Sequence, residues 1–235
     1  MTLHLKVEGI ETYIDQFHIL QGVSFEVKRG EVTVLLGRNG AGKTTTLRSI
    51  MGLNPPTKGT IEYDGKNIAG LTTHHIASQG IGYVPEDQGI FGDLTVEENM
   101  KVAIKKDNDE TKERLEYILN LFPDLKKFWR SKGGNLSGGQ KQMLSIARAY
   151  VNNNDLLLID EPSKGLAPII VEKVMESIQE MKSKTTIVLV EQNFNMASTI
   201  GDRFFIIDDG RTVHHGEMQE LKENEQLRRQ YLGIA

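Results

Sequence analysis

Two segments of this sequence contain residues of the kind that bind phosphate groups and a divalent cation. The first, residues 37–44, has the sequence GRNGAGKT and fits the pattern G-x-x-x-x-G-K-[ST]. Glycines in such a loop let backbone N–H groups approach an anion without a Cβ in the way. We expect Lys43 to reach the outer phosphates of a nucleotide and the Thr44 hydroxyl to bind Mg²⁺. The predicted nucleotide contacts are Gly37, Arg38, Asn39, Gly40, Ala41, Gly42, Lys43, Thr44 and Thr45.

The second segment places two adjacent carboxylates at the end of an apolar run. Residues 156–159 are Leu-Leu-Leu-Ile, and Asp160 and Glu161 follow. The run predicts a buried strand, and ligands of open α/β sheets bind at the carboxyl ends of strands. We expect Asp160 to hold Mg²⁺ and Glu161 to act as the general base toward an attacking water.

A further anion site is predicted at residues 136–140, which have the sequence LSGGQ and precede a helical pattern at 141–150. Ser137 is a favourable N-cap residue. The two glycines that follow leave the positive end of the helix accessible to an anion.

The elements that must position these residues alternate between strands and helices. The apolar runs at 32–36, 156–159 and 186–190 are typical of parallel strands buried on both faces. Alternating residues at 23–28 predict a half-buried strand. Residues 204–207 and 212–214, joined by Asp-Asp-Gly, predict an antiparallel hairpin. We therefore predict an α/β fold with a mostly parallel sheet core and additional antiparallel β elements.

The middle of the chain has a helical pattern instead. Leu115, Ile118, Leu119 and Phe122 share one helix face, and residues 95–98 have the capping-box pattern of a helix that starts near residue 96. We predict one domain in which residues 1–86 and 155–235 form the core and residues 87–154 form an inserted helical subdomain. The charged segment 219–229 predicts a surface helix.

Composition excludes several classes of function. The 235 residues have a net charge of −4 and no cysteine. The sequence therefore lacks the basic character of a nucleic-acid binder, and it excludes disulfides and thiolate metal sites. No stretch approaches about 20 uninterrupted apolar residues, and the N-terminus lacks the apolar core of a signal peptide. We expect any membrane role to require a partner.

The order of the phosphate loop, the LSGGQ segment and LLLIDEP, at these separations, resembles the ABC ATPase family across essentially the whole chain. The resemblance implies a P-loop NTPase (RecA-like) fold with ATP and Mg²⁺ as cofactors. It also implies that two ATPase domains dimerise head to tail. Each ATP would then lie between the phosphate loop of one subunit and the LSGGQ segment, called the signature, of the other. The residues that would act in trans on the neighbour's nucleotide are Ser137, Gly138, Gly139 and Gln140.

Other segments resemble the ATPases of branched-chain amino acid importers, and the chain is similar to the smaller of their two ATPase subunits. These segments are YVPE at 83–86, LTVEEN at 94–99, PSKGLAP at 162–168, VEQN at 190–193 and YLG at 231–233. The resemblance implies a second ATPase subunit, transmembrane permease subunits and, indirectly, a substrate-binding protein. It implies a peripheral location at the cytoplasmic face of the cell membrane. The alternatives are an importer of urea or short amides and a soluble cofactor-assembly ABC ATPase.

The resemblance also shows departures from the general ABC pattern. Glu86 takes the place of the Q-loop glutamine, which senses Mg²⁺ or the attacking water, and the resemblance implies that it contacts the metal together with Thr44 and Asp160. Gln192 takes the place of the switch histidine, so it is an implied catalytic residue together with Lys43 and Glu161. Both substitutions are usual in the importer subgroup. Ala167 takes the place of a D-loop aspartate. Relatives stack adenine on a tyrosine at the position of Ile14, so the adjacent Tyr13 is the predicted adenine contact and Ile14 the alternative.

Overall fold

A six-stranded, mostly parallel sheet forms the centre of the computed structural model, which describes residues 2–234. Its strands in spatial order are β10 (Arg211–Glu217), β9 (Arg203–Asp208), β3 (Val32–Leu36), β8 (Thr186–Val190), β7 (Leu156–Asp160) and β6 (Ile81–Val84). All neighbouring strands are parallel except the β9–β10 hairpin. Every residue of β3, β7 and β8 is buried, as the three apolar runs predict.

A second, antiparallel sheet covers one side of the first. Its strands in spatial order are β2 (Phe17–Lys28), β1 (Leu3–Ile14), β4 (Lys58–Tyr63) and β5 (Lys66–Asn67). The alternation predicted at 23–28 is confirmed, because Val23, Phe25 and Val27 are buried while the residues between them are exposed. Together with the central sheet, this sheet confirms the predicted α/β class with antiparallel additions.

Helices pack around the two sheets. They are α1 (Lys43–Ile50), α2 (Thr73–Ser78), α3 (Val96–Ala103), α4 (Asp109–Leu121), α5 (Pro123–Lys127), α6 (Gly138–Tyr150), α7 (Pro168–Met181), α8 (Phe194–Ile200), α9 (Met218–Glu223) and α10 (Glu225–Leu227). A 3₁₀ turn at Gly133–Asn135 and a π turn at Arg228–Leu232 complete the helical elements of the described residues. Within residues 2–234, no helix combines the length and the apolar character needed to cross a membrane.

Helices α3 to α6 lie between β6 and β7 in the chain, where the sequence predicts a helical insertion. The capping box at the start of α3 is present, with Thr95 and Glu98 each bonded to the other's backbone N–H. Ile118 and Phe122 are buried, in agreement with the predicted helix face. These helices and the central sheet share one hydrophobic core, which includes the buried Tyr150 of α6. The helices therefore do not form a separate core. The division into subdomains stays a prediction.

The β9–β10 hairpin turns at the predicted Asp-Gly pair. Asp209 and Gly210 have φ of 43° and 71°, the left-handed conformation that a tight hairpin turn requires. A Cβ at residue 210 would lie 2.2 Å from the carbonyl oxygen of Ile19, so only glycine fits there. The N–H of Gly210 donates to the carbonyl of Ala41 over 3.0 Å. The turn is therefore hydrogen-bonded to the phosphate loop and packs against it.

The C-terminal segment corrects one prediction. The expected single helix at 219–229 is interrupted at Asn224, because α9 ends at Glu223 and the Asn224 side chain accepts a hydrogen bond from the N–H of Leu227. An asparagine side chain that caps a new helical turn competes with continuation of the old one. Leu221 and Leu227 are buried, so this segment packs onto the core on one side.

Candidate active site

The phosphate loop joins β3 to α1 and is formed by glycines in conformations that other residues rarely adopt. Gly37, Gly40 and Gly42 have φ of 151°, 80° and 106°. A Cβ at residue 37 would lie 2.1 Å from the carbonyl oxygen of Ile207, so the loop can pass the hairpin only with glycine there. Gly42 is the N-cap of α1, and no side chain caps this helix. The positive end of α1 is therefore available to an anion.

Lys43 is buried inside this loop. Its Nζ donates to the carbonyl oxygens of Gly37 at 3.0 Å and Arg38 at 3.1 Å, and it lies 3.7 Å from Oε1 of Glu161. Burial lowers the pKa of Lys43, while the nearby Glu161 acts in the opposite direction. The loop thus holds an ammonium group beside the position where the sequence predicts the outer phosphates.

Asp160 ends β7 with its carboxylate fully buried. The Thr44 hydroxyl donates to Oδ1 at 3.0 Å, and the Tyr83 hydroxyl donates to Oδ2 at 3.3 Å. Burial raises the pKa of Asp160 to about 6. Tyr83 is a contact that sequence reasoning missed, because its hydroxyl reaches Asp160 only through the pairing of β6 with β7.

The oxygen donors around Asp160 fit Mg²⁺. This ion binds oxygen ligands and usually takes one or two of them from protein side chains, with phosphates and water completing the shell. Thr44 and Asp160 already lie within hydrogen-bond distance of each other. Among residues 2–234, no group of three or more His, Asp or Glu side chains is arranged to enclose a metal by itself. The donor set therefore suits a cation that arrives with a nucleotide.

Glu161 lies directly beside this pair and has a left-handed backbone, with φ of 44°. Its N–H donates to the carbonyl of Val190 over 2.9 Å, which holds this unusual conformation against β8. Gln192 donates from Nε2 to Oε1 of Glu161 over 2.5 Å. The structure therefore brings together the three predicted catalytic side chains, Lys43, Glu161 and Gln192.

Glu191 is a positioning residue that sequence reasoning missed. One carboxylate oxygen accepts from the N–H of Ser163, and the other accepts from the N–H groups of Gln192 and Asn193, each over 2.9 Å. The side chain is almost fully buried, and burial raises the pKa of Glu191 although these donors oppose the rise. Glu191 thus ties the end of β8 to the loop after β7. The available signal was an acid directly after an apolar run, as at Asp160.

A cavity of about 300 Å³ opens above these groups. Glu86 lines it from the loop after β6, and Oε1 of Glu86 lies 2.5 Å from Nζ of Lys164. Lys164 and Ile19 are lining residues that the sequence did not indicate. The full lining consists of Ile19, Asn39, Gly40, Gly42, Lys43, Thr44, Thr45, Glu86, Glu161 and Lys164.

The β1–β2 hairpin places Tyr13 outside the lining of this cavity. The Tyr13 ring stacks on His18, with centroids 4.2 Å apart and planes 5° apart. Ile14 pairs with Phe17 on the opposite strand. The pairing shifts register between Thr12 and Tyr13, so Ile19, which lines the cavity, lies at an irregularity of β2. Ile14, the alternative adenine contact, is also not among the residues that line the cavity.

The signature residues start α6. Ser137 and Gln140 form a capping box, in which the Gln140 N–H donates to Ser137 Oγ and the Ser137 N–H donates to Gln140 Oε1. Gly139 packs against α7, where a Cβ would lie 2.5 Å from Cγ2 of Ile170. None of residues 137–140 lines the cavity at the phosphate loop of the described chain.

Two hydrogen bonds, one at the start of α6 and one near its end, join this helix to the segment after Glu86. Gln88 donates from Nε2 to the carbonyl of Gly138 over 3.4 Å, and Arg148 donates to the carbonyl of Gly89. The segment that follows Glu86 is therefore attached to α6 at residues 88 and 89.

Known proteins share both the sequence and the fold. The family described as ABC transporter matches residues 20–164. The high-affinity branched-chain amino acid transport ATP-binding protein BraG of Pseudomonas aeruginosa is 40% identical, over 97% of this chain and 99% of that protein. The probable branched-chain amino acid transport ATP-binding protein LivF of Archaeoglobus fulgidus is 38% identical, over 94% of each chain. The lipopolysaccharide export system ATP-binding protein LptB of Escherichia coli is 33% identical over 92% and 91%.

Solved structures agree with this comparison. An ATP-binding cassette of an ABC transporter in its ADP conformation superposes with a TM-score of 0.84 and 25% identity, over 99% of this chain and all of that chain. The dimeric structure of a bacterial ABC transporter cassette superposes with a TM-score of 0.80 and 27% identity, over 91% and 98%. The ABC cassette fold predicted from the motif order is confirmed.

Proposed function

The chain belongs to the ABC transporter family of ATP-binding proteins, and from this premise we propose that it is the motor subunit of an importer of branched-chain amino acids. The ATPase activity follows from the family and the cassette fold. One observation supports the amino acid substrate above others, namely the 40% identity to BraG over nearly the full length of both proteins. The identity to LptB, which serves lipopolysaccharide export, is lower at 33%.

The side chains at the cavity have complementary parts in the hydrolysis of ATP. The N-terminus of α1 and Lys43 bind the phosphates, and Thr44 and Asp160 would hold Mg²⁺. The ion would neutralise charge on the outer phosphates. Glu161 takes a proton from water as the water oxygen bonds to the γ-phosphorus and the bond to the β–γ bridging oxygen breaks. Gln192 fixes the orientation of the Glu161 carboxylate.

The site is completed by a second ATPase subunit in this proposal. Residues 137–140 present a helix N-terminus that lies outside the cavity of the same chain, so they are free to face the nucleotide of a partner. The partner in a head-to-tail dimer would offer its own signature in return. The dimeric structure of a related cassette supports such an assembly.

Adenine would pack on the cavity side of the β1–β2 hairpin. Tyr13 and its alternative Ile14 are the candidates for this contact: the Tyr13 ring is stacked on His18, and Ile14 pairs with Phe17 near the end of the hairpin. An apolar face can cover the base through its area without an aromatic ring.

The transmembrane permease subunits would place this chain at the cytoplasmic face of the cell membrane. Purification of the tagged chain from its own cells in mild detergent tests this proposal. We expect it to recover a second ATPase subunit and permease subunits. Recovery of the chain without any membrane protein would contradict the transporter role and favour a soluble cofactor-assembly ATPase.

The substrate is tested with the recovered complex in liposomes that contain its substrate-binding protein. We expect leucine, isoleucine or valine to stimulate ATP hydrolysis, while urea and short amides do not. Stimulation by urea or acetamide alone would contradict the amino acid assignment and leave the motor role intact.

A further inference from the structure

Lys164 is a cationic side chain of the cavity that the reaction proposed above does not use. Its Nζ lies 2.5 Å from Oε1 of Glu86 and 3.8 Å from Oε2 of Glu161. On the other side of Glu161, Nζ of Lys43 lies 3.7 Å from Oε1. The Glu161 carboxylate therefore lies between two ammonium groups, and Glu86 binds one of them.

The local backbone explains why Lys164 faces the cavity. Its N–H donates to the carbonyl of Glu161 over 3.1 Å, so a turn after β7 brings the two side chains to the same side. The side chain of Lys164 is 58% exposed and that of Glu86 is 38% exposed. Ion pairs with this exposure contribute little to folding stability. The main effect of the pair is therefore on the electrostatic potential of the cavity, which an entering anion experiences, and not on folding stability.

A nucleotide without a divalent cation brings several negative charges to this cavity. Among the lining residues, Glu86 and Glu161 repel the negative charge of the nucleotide, and Lys43 and Lys164 attract it. While Lys164 is paired with Glu86, its charge is largely neutralised by that partner. Replacement of Glu86 by glutamine would remove one acid and also release the ammonium group toward the phosphates.

We propose that Glu86 restrains Lys164 so that the site binds Mg²⁺-free nucleotide weakly, and that this ion pair sets how strongly nucleotide binding depends on the divalent cation. The inference rests on the nucleotide site proposed above. The Glu86 carboxylate can face Lys164 or a divalent cation that accompanies the nucleotide. In the second case Lys164 is free to contact a phosphate, and the charge of the site remains balanced.

Calorimetric titration of the full chain with ADP, in EDTA and in Mg²⁺, tests the proposal. We expect Glu86→Gln to bind ADP in EDTA about three- to tenfold more tightly than the parent, and Lys164→Gln to bind it about three- to tenfold more weakly, as for one screened charge near a phosphate. In the Lys164→Gln background, Glu86→Gln should have a smaller effect, because no ammonium group remains to be released. The four proteins form a thermodynamic cycle that measures this coupling.

Lys101→Gln is the matched control. It breaks another ion pair of an exposed lysine, between Lys101 and Glu97 at 2.8 Å on α3, and should leave both affinities unchanged. An equal effect of Glu86→Gln with and without Lys164, or no change of affinity in EDTA, would overturn the inference. Failure of the parent to bind ADP even with Mg²⁺ would instead contradict the nucleotide site itself, so the two failures are distinguishable.

Discussion

Gln192 donates a hydrogen bond from its side-chain amide to the carboxylate of Glu161 over 2.5 Å. The two residues follow neighbouring strands, β8 and β7, and the Glu161 N–H also bonds to β8 at Val190. The general base is therefore held from two directions, by a backbone bond and by an amide. Because an amide has no proton that titrates near neutral pH, this contact orients Glu161 in the same way across the physiological range.

Replacement of Gln192 by alanine should lower the ATP turnover rate about 10- to 100-fold, a loss typical of removing a group that orients a reacting one. The affinity for Mg²⁺-ATP should change little, because Gln192 contacts the base. Phosphate release by the complex, together with nucleotide titration, measures both quantities. Turnover at the parent rate would show that the hydrogen bond has no part in the reaction.

Glu161→Gln should keep ATP binding and lose hydrolysis by at least about 100-fold, the lower end of general-base contributions. The amide retains the size of the side chain but cannot accept the proton from water. Single-turnover phosphate release and equilibrium ATP binding test this expectation. Glu172→Gln on the exposed side of α7 is the control and should behave as the parent. Equal hydrolysis by both variants would disprove the role of Glu161.

The sequence predicts the parts of the site that depend on local pattern. The all-apolar runs predict β3, β7 and β8, and the glycine spacing predicts a loop between β3 and α1, because burial on both faces and positive φ restrict the residue types directly. The contacts of Glu191 and Lys164 were not predictable in this way. Each joins segments that are distant in the chain, and only the order of strands in the sheet brings them together.

The C-terminal segment shows a second limit. The charged segment predicts one surface helix at 219–229, but the Asn224 side chain caps a new turn and divides it. Local competition between a side chain and the backbone decides this break.

Asp160→Asn should stabilise the nucleotide-free chain at pH 7.5 in EDTA by about 2–3 kcal/mol, since one pKa unit corresponds to about 1.4 kcal/mol. Burial raises the pKa of Asp160 to about 6, above the value of about 3.9 expected in the unfolded chain. The folded chain thus binds this proton more tightly, and its contribution to the free energy of unfolding decreases as the pH rises from about 4 to 6. Asparagine cannot ionise, so the variant avoids the cost of burying a charged carboxylate at pH 7.5.

Urea unfolding of both proteins at pH 4.5, 6 and 7.5 measures the difference. The advantage of Asp160→Asn should be small at pH 4.5 and reach its full size at pH 7.5. Saturating Mg²⁺-ADP should make the parent the more stable of the two proteins, because only the parent keeps the Asp160 carboxylate that would hold Mg²⁺. An advantage that is independent of pH would contradict the predicted titration.

Gly139→Ala should destabilise the nucleotide-free chain by about 1–3 kcal/mol, the usual effect of an added methyl group in a packed contact. The new Cβ would lie 2.5 Å from Cγ2 of Ile170, whereas a Cβ at Gly138 would meet its nearest atom, in Leu166, at an ordinary 3.7 Å. Gly138→Ala is therefore the control and should change the free energy of unfolding by less than about 0.5 kcal/mol.

The same clash predicts rescue by a second substitution. Ile170→Ala removes Cγ2, so Gly139→Ala in that background should be nearly neutral, and the double-mutant cycle should give a coupling of about 1 kcal/mol or more. Urea unfolding of the isolated chain measures packing alone, because no partner nucleotide is present. An ATPase defect that persists in the rescued double variant would then identify a separate part for Gly139 in the dimer. Equal destabilisation with and without Ile170 would show that the helix N-terminus, and not its contact with α7, requires the glycine.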